Sequence, residues 1–330
     1  MAKKRILSGM QPSGLLHLGN LLGALDNWKA LQDEYECFFF VADWHALSTN
    51  YADTSRIREF VHEMLVDWLA VGIDPHKATI FVQSANPDHA ILHLLLSMIT
   101  PIPWLERNPT YKEKQEQIAD RDLATYGFLG YPVLQAGDIL LYKADSVPVG
   151  KDQLPHLELT REIARRFNSL YKSVFPEPQE LLTSFPKVLG TDGRKMSKSY
   201  GNTINLSDSE PIVRQKLKTM VTDPARVRRT DPGNPDICPV YDFHKIYSPL
   251  AVIERVNREC RTAEIGCIEC KKLAADAMVA KLSPIWEART QFSNDSKQVQ
   301  EIVEAGAERA KRVSHQTLAE VKNAMKLPSF

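Results

Sequence analysis

At 330 residues the chain is long enough for two domains, each with a core of its own. Lys plus Arg and Asp plus Glu number 41 each, so the formal net charge is zero. That balance excludes a protein that coats nucleic acid through a global positive field, while one local basic face stays possible. The 43% apolar and 25% charged fractions are those of an ordinary globular protein, and no apolar run approaches the length of a membrane span.

Lys3, Lys4 and Arg5 look like the start of a secretory signal. The stretch Ile6-Leu7-Ser8-Gly9-Met10-Gln11-Pro12 breaks before an apolar segment forms, so we expect a cytoplasmic protein. Residues 5–8 read as a strand. Leu18, Leu21, Leu22, Leu25 and Trp28 recur at helical spacing and predict a helix facing a core. Residues 37–42, with Cys37 as a small buried apolar group, predict a second strand. A helix over 54–71, ended by Gly72 and Pro75, follows. Strands over 79–82 and 147–149 and helices over 134–142 and 158–167 continue the alternation, which implies a parallel sheet covered on both faces. Past residue 205 the strands stop, and helices are expected over 210–220, 250–259, 271–286 and 297–325. This shift divides the chain into an α/β part, 1–204, and an all-α part, 205–330.

Two segments carry chemistry. Gly9-Met10-Gln11-Pro12-Ser13-Gly14-Leu15-Leu16-His17-Leu18-Gly19-Asn20 leaves a strand and opens a helix. Pro12 and Gly14 suit a tight turn, Gly19 permits close approach of a ligand, and a helix N-terminus offers N–H groups to phosphate. Alone, this reads equally well as an ordinary strand-to-helix connection. The second segment, Asp192-Gly193-Arg194-Lys195-Met196-Ser197-Lys198-Ser199, is a charged loop with two lysines. Lys195 to Ser199 spell the KMSKS signature of class I aminoacyl-tRNA synthetases in full. His17-Leu18-Gly19-Asn20 resembles their HIGH signature, with Asn in place of the last His.

Across nearly all of its length the sequence resembles the bacterial tryptophanyl-tRNA synthetases. The opening Gly9 to Gly14, then Ala42-Asp43-Trp44-His45-Ala46-Leu47, Tyr131-Pro132-Val133-Leu134-Gln135-Ala136-Gly137-Asp138 and Val147-Pro148-Val149-Gly150-Lys151-Asp152-Gln153 follow in family order. The resemblance implies a Rossmann-like catalytic domain followed by a helical anticodon-binding domain, with ATP and Mg²⁺, L-tryptophan and tRNA(Trp) as substrates and partners, and no membrane. It also implies a homodimer joined through roughly residues 85–130. His17, Lys195 and Lys198 would stabilise the phosphates while the tryptophan carboxylate attacks ATP. The ATP contacts it implies are Gln11, Pro12, Ser13, Gly19, Asn20, Gly150, Lys151, Asp152, Val188, Lys195, Met196, Ser197, Lys198 and Ser199. The tryptophan contacts it implies are Asp138, Gln11, Tyr131, Gln135, His45 and Gln153. Asp138 would accept the indole N–H, which is a donor only. Such a site rejects phenylalanine by roughly 10⁴ or more, so no editing domain is needed. Lys151 departs from the family, which carries Glu there, so its part is expected to be a backbone one.

Tyrosyl-tRNA synthetase is the nearest rival, since Tyr131, Gln135 and Asp138 fit a spacing found in its archaeal type. Met10 to Gly14 and Asp43-Trp44-His45 favour tryptophan. A different nucleotidyl transferase would lack Lys195 to Ser199, and a non-catalytic binder of tRNA or tryptophan would not need both lysines.

Cys238, Cys260, Cys267 and Cys270 cluster late in the chain. In a cytoplasmic protein four such cysteines read as a metal site rather than two disulfides. Zinc and a [4Fe–4S] cluster both take four thiolates, and spacing alone does not choose between them. A subset of the bacterial tryptophanyl-tRNA synthetases carries a [4Fe–4S] cluster on nearly this spacing, with one residue more in the first gap, and the resemblance favours that cluster. Arg226, Arg228, Arg229, Lys271 and Lys272 flank the cysteines and suggest a positive face for RNA.

Overall fold

The computed structural model describes residues 3–108, 123–182 and 188–328. The first half is built on β1 (Arg5–Met10), β2 (Glu36–Val41), β3 (Ala78–Val82), β4 (Ser146–Val149) and β5 (Gln179–Leu182). Among the described residues these form one parallel sheet in the order β3-β2-β1-β4-β5. In β2, Cys37 to Val41 are all buried, as a strand covered on both faces requires. The strand order reverses between β1 and β4. In open parallel sheets this is the switch point outside whose strand C-termini ligands bind.

Leu18 to Leu31 enter the core as α1 (Leu18–Asn20), a π-helical turn (Leu21–Leu25) and α2 (Asp26–Leu31), where the apolar spacing predicts one helix. The inserted π turn leaves the apolar residues inward, so the spacing alone does not reveal it. Trp28 stacks on Phe39 at 4.4 Å between centroids and meets Trp68 edge-on at 5.0 Å. Trp68 lies on α4 (Ile57–Val71), which ends at Gly72 with φ 104°, a left-handed cap that glycine adopts without strain. The helices α3 (Asp43–Asn50), α5 (Asp88–Ser97) and α6 (Ile102–Glu106) follow strand ends or prolines. They are too short for a clear periodic signal.

The helix expected over 134–142 is α7 (Tyr126–Leu141). Thr125 caps it, accepting from Phe128 N at 3.2 Å, and Gly127, Gly130 and Pro132 hide its first turns from a pattern reading. The helix expected over 158–167 is α8 (Leu154–Leu170), with Pro155 in its first turn. Strand β5 was not expected, because only Leu181 and Leu182 in it are apolar.

After residue 204 come α9 (Glu210–Thr219), α10 (Pro239–Tyr247), α11 (Leu250–Arg261), α12 (Cys267–Asn294) and α13 (Ser296–Ala324). The two long helices return to the sheet half: α12 packs along α4, and α13 lies against β3 and α5. A Cβ at Gly306 would stand 1.8 Å from the Ile80 carbonyl oxygen, so only glycine lets α13 approach the strand this closely. Among the described residues no helix is long and apolar enough to cross a membrane.

Candidate active site

At the switch point, the C-terminal ends of β1 and β4 and the inner faces of α3 and α7 enclose a cavity of about 260 Å³. All six residues expected to touch tryptophan line it: Gln11, His45, Tyr131, Gln135, Asp138 and Gln153. A Cβ on Gly9 would meet the Phe40 ring at 2.5 Å, so glycine is required for that wall.

Asp138 lies at the floor, 1% exposed. His45 Nε2 stands 2.8 Å from its Oδ2 and His89 Nδ1 2.7 Å from its Oδ1. The Gln83 amide donates to both oxygens, at 2.9 and 3.0 Å. Burial pushes this carboxyl up, but the hydrogen bonds from His45 and His89 outweigh it and bring the pKa down to about 2, so Asp138 is ionised. Tyr131 is protonated, burial raising its phenol well above the usual range. Its oxygen lies 3.1 Å from His156 Nε2, and His156 Nδ1 takes a hydrogen bond from Asn108 at 3.1 Å.

Gln83, His89 and His156 were not singled out from sequence. Gln83 sits immediately beyond β3, at the strand end where ligand sites form in such sheets, and that position was the available signal. His156 is one helical turn beyond Gln153 on the same cavity wall.

The glycine-rich turn and the lysine loop meet. Lys198 Nζ donates to the Gly14 carbonyl oxygen at 2.9 Å and lies 3.4 Å from Ser13 Oγ. Burial lowers the Lys198 ammonium to about 8, against a raising effect from Asp67. His17 caps α1 by accepting from Gly19 N at Nδ1, and Asn20 Oδ1 accepts from His17 N at 3.0 Å in return. This reciprocal pair gives Asn20 a capping job at the position where the HIGH signature has its second His. Burial, and then the Lys198 charge, lower His17 to about 4, so at neutral pH it is an uncharged imidazole whose Nε2 carries the proton.

The loop itself is braced by Asn202, which donates to Asp192 Oδ1 at 2.7 Å and to Lys195 O at 3.2 Å and accepts from Ser197 N at 2.8 Å. Met196 and Val188 are buried in its stem, joined by a Met196 N to Val188 O bond of 2.9 Å. Lys195 and Ser199 are exposed on its outer side. Gly150, Lys151 and Asp152 lie between Val149 and Gln153, which line the cavity, and Lys151 opens a short 3₁₀ turn and is exposed.

The four late cysteines lie in one region of the helical part, near enough to act on one another's charge. Cys238, Cys260 and Cys267 all raise Cys270, after burial, to about 12, and Cys238 and Cys267 also raise Cys260. This is the donor set a four-thiolate site takes, although the thiols stand apart enough that no group of three or more metal-binding side chains is assembled among the described residues. Cys270 Sγ is 3.4 Å from His244 Nε2, and Arg226 Nη1 is 3.6 Å from Cys260 Sγ. Arg226 also donates to Ile265 O at 2.6 Å, and Arg229 to Glu264 O at 2.6 Å. These two guanidiniums therefore hold the cysteine-bearing loop through its carbonyls, in addition to any charge they present outward.

Comparison with known proteins agrees with this geometry. The family model of class I tRNA synthetases for tryptophan and tyrosine matches residues 2–283. A tryptophan–tRNA ligase of Thermotoga maritima is 54% identical over 98% of this chain and 99% of its own. One from Ralstonia nicotianae is 45% identical over 99% of each. A crystal structure of a Campylobacter jejuni tryptophanyl-tRNA synthetase complexed with ADP and tryptophan superposes with a TM-score of 0.90, at 30% identity, over 98% of this chain and 100% of that one. With a parallel sheet open at its switch point, both class I signatures facing each other across it, and relatives this similar along the whole length, the chain belongs to the class I tRNA synthetases, among the bacterial tryptophan–tRNA ligases.

Proposed function

We propose that the chain activates L-tryptophan with ATP and transfers it to tRNA(Trp), with Asp138 as the indole acceptor. The observation that carries this reading is a buried, ionised carboxylate at the floor of a cavity sized for one small ligand. A buried anion of this kind calls for a ligand that brings a hydrogen-bond donor. Gln135 and His45 flank the ring, while Gln11, Tyr131 and Gln153 hold the amino and carboxylate ends.

ATP lies over Gln11, Pro12, Ser13, Gly19 and Asn20 on one side and Gly150, Lys151 and Asp152 on the other. Val188 and Lys195, Met196, Ser197, Lys198 and Ser199 close over it. The tryptophan carboxylate attacks the α-phosphorus in line, the bond to the bridging oxygen breaks, and pyrophosphate leaves. The 2′-hydroxyl of the terminal tRNA ribose then attacks the acyl carbon and AMP departs. His17 donates from Nε2 to a phosphate oxygen, and Lys195 and Lys198 oppose the growing charge; losing one such donor costs roughly 3 kcal/mol of barrier. Mg²⁺ carried on the phosphates adds to that neutralisation. No side chain acts as nucleophile.

The helical part, 205–330, reads the anticodon in this proposal, and Cys238, Cys260, Cys267 and Cys270 hold a [4Fe–4S] cluster, with zinc as the competing occupant. The gathering of the four thiols supports a four-thiolate site. Two copies pair through the region near residues 85–130, of which 109–122 lie outside the described residues. Leu94, Met98 and Ile102, respectively 52%, 70% and 59% exposed, support that face. The enzyme works in the cytoplasm. ATP–pyrophosphate exchange with each amino acid in turn tests the main reading. Exchange with tryptophan alone is expected; exchange with tyrosine, or with nothing, overturns it.

A further inference from the structure

Behind Asp138 a hydrogen-bonded chain of buried side chains runs from the cavity floor to the C-terminal helix. His89 bridges Asp138 and the Tyr142 hydroxyl, its Nε2 lying 2.8 Å from that oxygen. Asn86 Nδ2 donates to Tyr142 Oη and to Ser314 Oγ, both at 3.0 Å. Ser314 Oγ donates to Asp88 Oδ2 at 2.6 Å. Asn86, His89, Tyr142 and Ser314 are all completely buried. Ser314 belongs to α13, from the far end of the sequence.

The direction of every proton in this chain follows from its ends. Asp138 is an anion and accepts only, so His89 Nδ1 carries hydrogen. The Asn86 oxygen is taken by Asp88 N at 3.3 Å, which leaves its nitrogen as the donor to both Tyr142 and Ser314. Tyr142 then has one proton to give, and the acceptor in reach is His89 Nε2. The imidazole is thereby held with its Nδ1–H aimed at Asp138 and its Nε2 accepting from Tyr142. The Phe40 and Phe81 rings, 5.9 and 6.0 Å away between centroids, and the Tyr142 ring at 5.4 Å confine it.

The two carboxylate oxygens are not equivalent. Oδ1 takes His89 and one contact of the Gln83 amide, both from behind the cavity wall. Oδ2 takes His45 and shares the same Gln83 nitrogen. His45 and Asp138 line the cavity; Gln83 and His89 stand behind it. Oδ2, bonded to the cavity-lining His45, is therefore the oxygen on the cavity side.

We propose that His89 is a positioning residue for tryptophan selection: locked by the Tyr142–Asn86–Ser314 chain, it holds Oδ1 and turns Oδ2 to the indole N–H, so that the C-terminal helix takes part in substrate choice. The inference rests on the reading that the indole is held at Asp138. Removing the Tyr142 hydroxyl strips His89 Nε2 of its donor. The imidazole is then able to change tautomer, which loses the N–H to Oδ1 and with it the hold that turns Oδ2 toward the substrate.

The test compares tryptophan with its 3-benzothienyl analogue, which has sulfur in place of the indole N–H. The readout is the ratio of kcat/KM for the two in full-length wild type, Tyr142→Phe, Ser314→Ala and His89→Asn. Tyr142→Phe is expected to lower the ratio by roughly ten-fold, the size of one lost hydrogen bond to a charged group, with the analogue's own kcat/KM changed far less. Ser314→Ala lowers it in the same direction by a smaller factor. His89→Asn, whose amide keeps a donor near Oδ1, retains more discrimination than His89→Ala, which is measured beside it. A ratio unchanged in Tyr142→Phe and Ser314→Ala, or equal losses for both substrates, overturns the proposal and leaves the assignment of Asp138 standing. A wild type that does not prefer tryptophan over the analogue overturns both.

Discussion

Lys198 Nζ donates to the carbonyl oxygen of Gly14 at 2.9 Å, which ties the lysine loop directly onto the turn that opens the first helix. A triphosphate seated on that turn must take this ammonium from the carbonyl. The same contact explains the burial that lowers Lys198 to about 8. In the free enzyme the ammonium begins to lose its proton as pH rises through that value, and phosphate favours the charged form. ATP binding near pH 8 is therefore expected to take up a proton, and ATP affinity to weaken above it. Calorimetry in buffers of different ionisation enthalpy measures the uptake; no proton exchange between pH 7.5 and 9 removes Lys198 from the phosphates. Lys198→Ala is expected to lower exchange roughly 10²–10³-fold.

Asp138→Asn tests the cavity floor. The substitution keeps size and removes the charge, and an amide facing His45, His89 and Gln83 cannot accept from all of them. Tryptophan kcat/KM is expected to fall by roughly two to three orders of magnitude, with phenylalanine falling much less. Equal kinetics in the variant and the wild type place the indole elsewhere. In the wild type Asp138 is a stabilising anion: its folded pKa, about 2, lies below the ordinary 3.8. Its contribution is present above pH 4 and is lost as pH falls through 2. Tryptophan affinity should therefore show no acid limb from this group between pH 5 and 8.

Much of the catalytic half is legible in the sequence, for physical reasons that also mark where legibility ends. Strand β2 stands out because an unbroken apolar run is what burial on both faces demands. Helix α4 stands out through its Trp68-bearing apolar face and the Gly72 stop. The start of α7 does not, because Gly127, Gly130 and Pro132 each argue locally against a helix that packing against α5 sustains. The six residues expected to touch tryptophan were reached by resemblance, and their convergence on one cavity is a tertiary fact. Gln83 and His89 act from behind Asp138, and nothing in their own segment says which carboxylate they face. The return of α13 onto β3 is likewise invisible locally: Gly306 reads as a weak point in a helix until the Ile80 carbonyl is beside it.

Arg289 on α12 joins the helical part to the sheet half through Glu63 and Asp67 on α4, its Nε 2.9 Å from Asp67 Oδ1. Asp67 is fully buried, and desolvation raises it to about 7 in spite of Arg289. A folded pKa above the ordinary 3.8 means that the ionised carboxylate opposes folding. This cost is absent below pH 4 and complete above pH 7. Arg289→Ala removes the compensating charge, so it should cost roughly 3–5 kcal/mol at pH 8 and distinctly less at pH 5, where Asp67 takes a proton. Urea unfolding at the two pH values measures the difference. Equal losses at both would mean that Arg289 matters only for packing. Asp67 also supports the charge on Lys198. Asp67→Asn should accordingly move the alkaline limit of ATP affinity to lower pH.

The cysteine cluster separates a structural occupant from a catalytic one. Without a metal, burial and the neighbouring thiols hold Cys270 up at about 12, and burial raises Cys260 in the same direction. An ion that binds thiolates removes those protons, and its binding free energy adds to folding. Protein purified without oxygen should be brown and contain iron and acid-labile sulfide; a colourless protein holding zinc overturns the cluster and keeps the four-thiolate site. Cys270→Ser should lose the metal and melt at lower temperature. Because the thiols lie in the helical part, while Asp138 and Lys198 lie in the sheet half, tryptophan-dependent pyrophosphate exchange at low temperature should survive that loss. Charging of tRNA should fall if the helical part reads the anticodon. A variant that loses exchange and charging together while remaining folded would tie the cluster to the adenylation site.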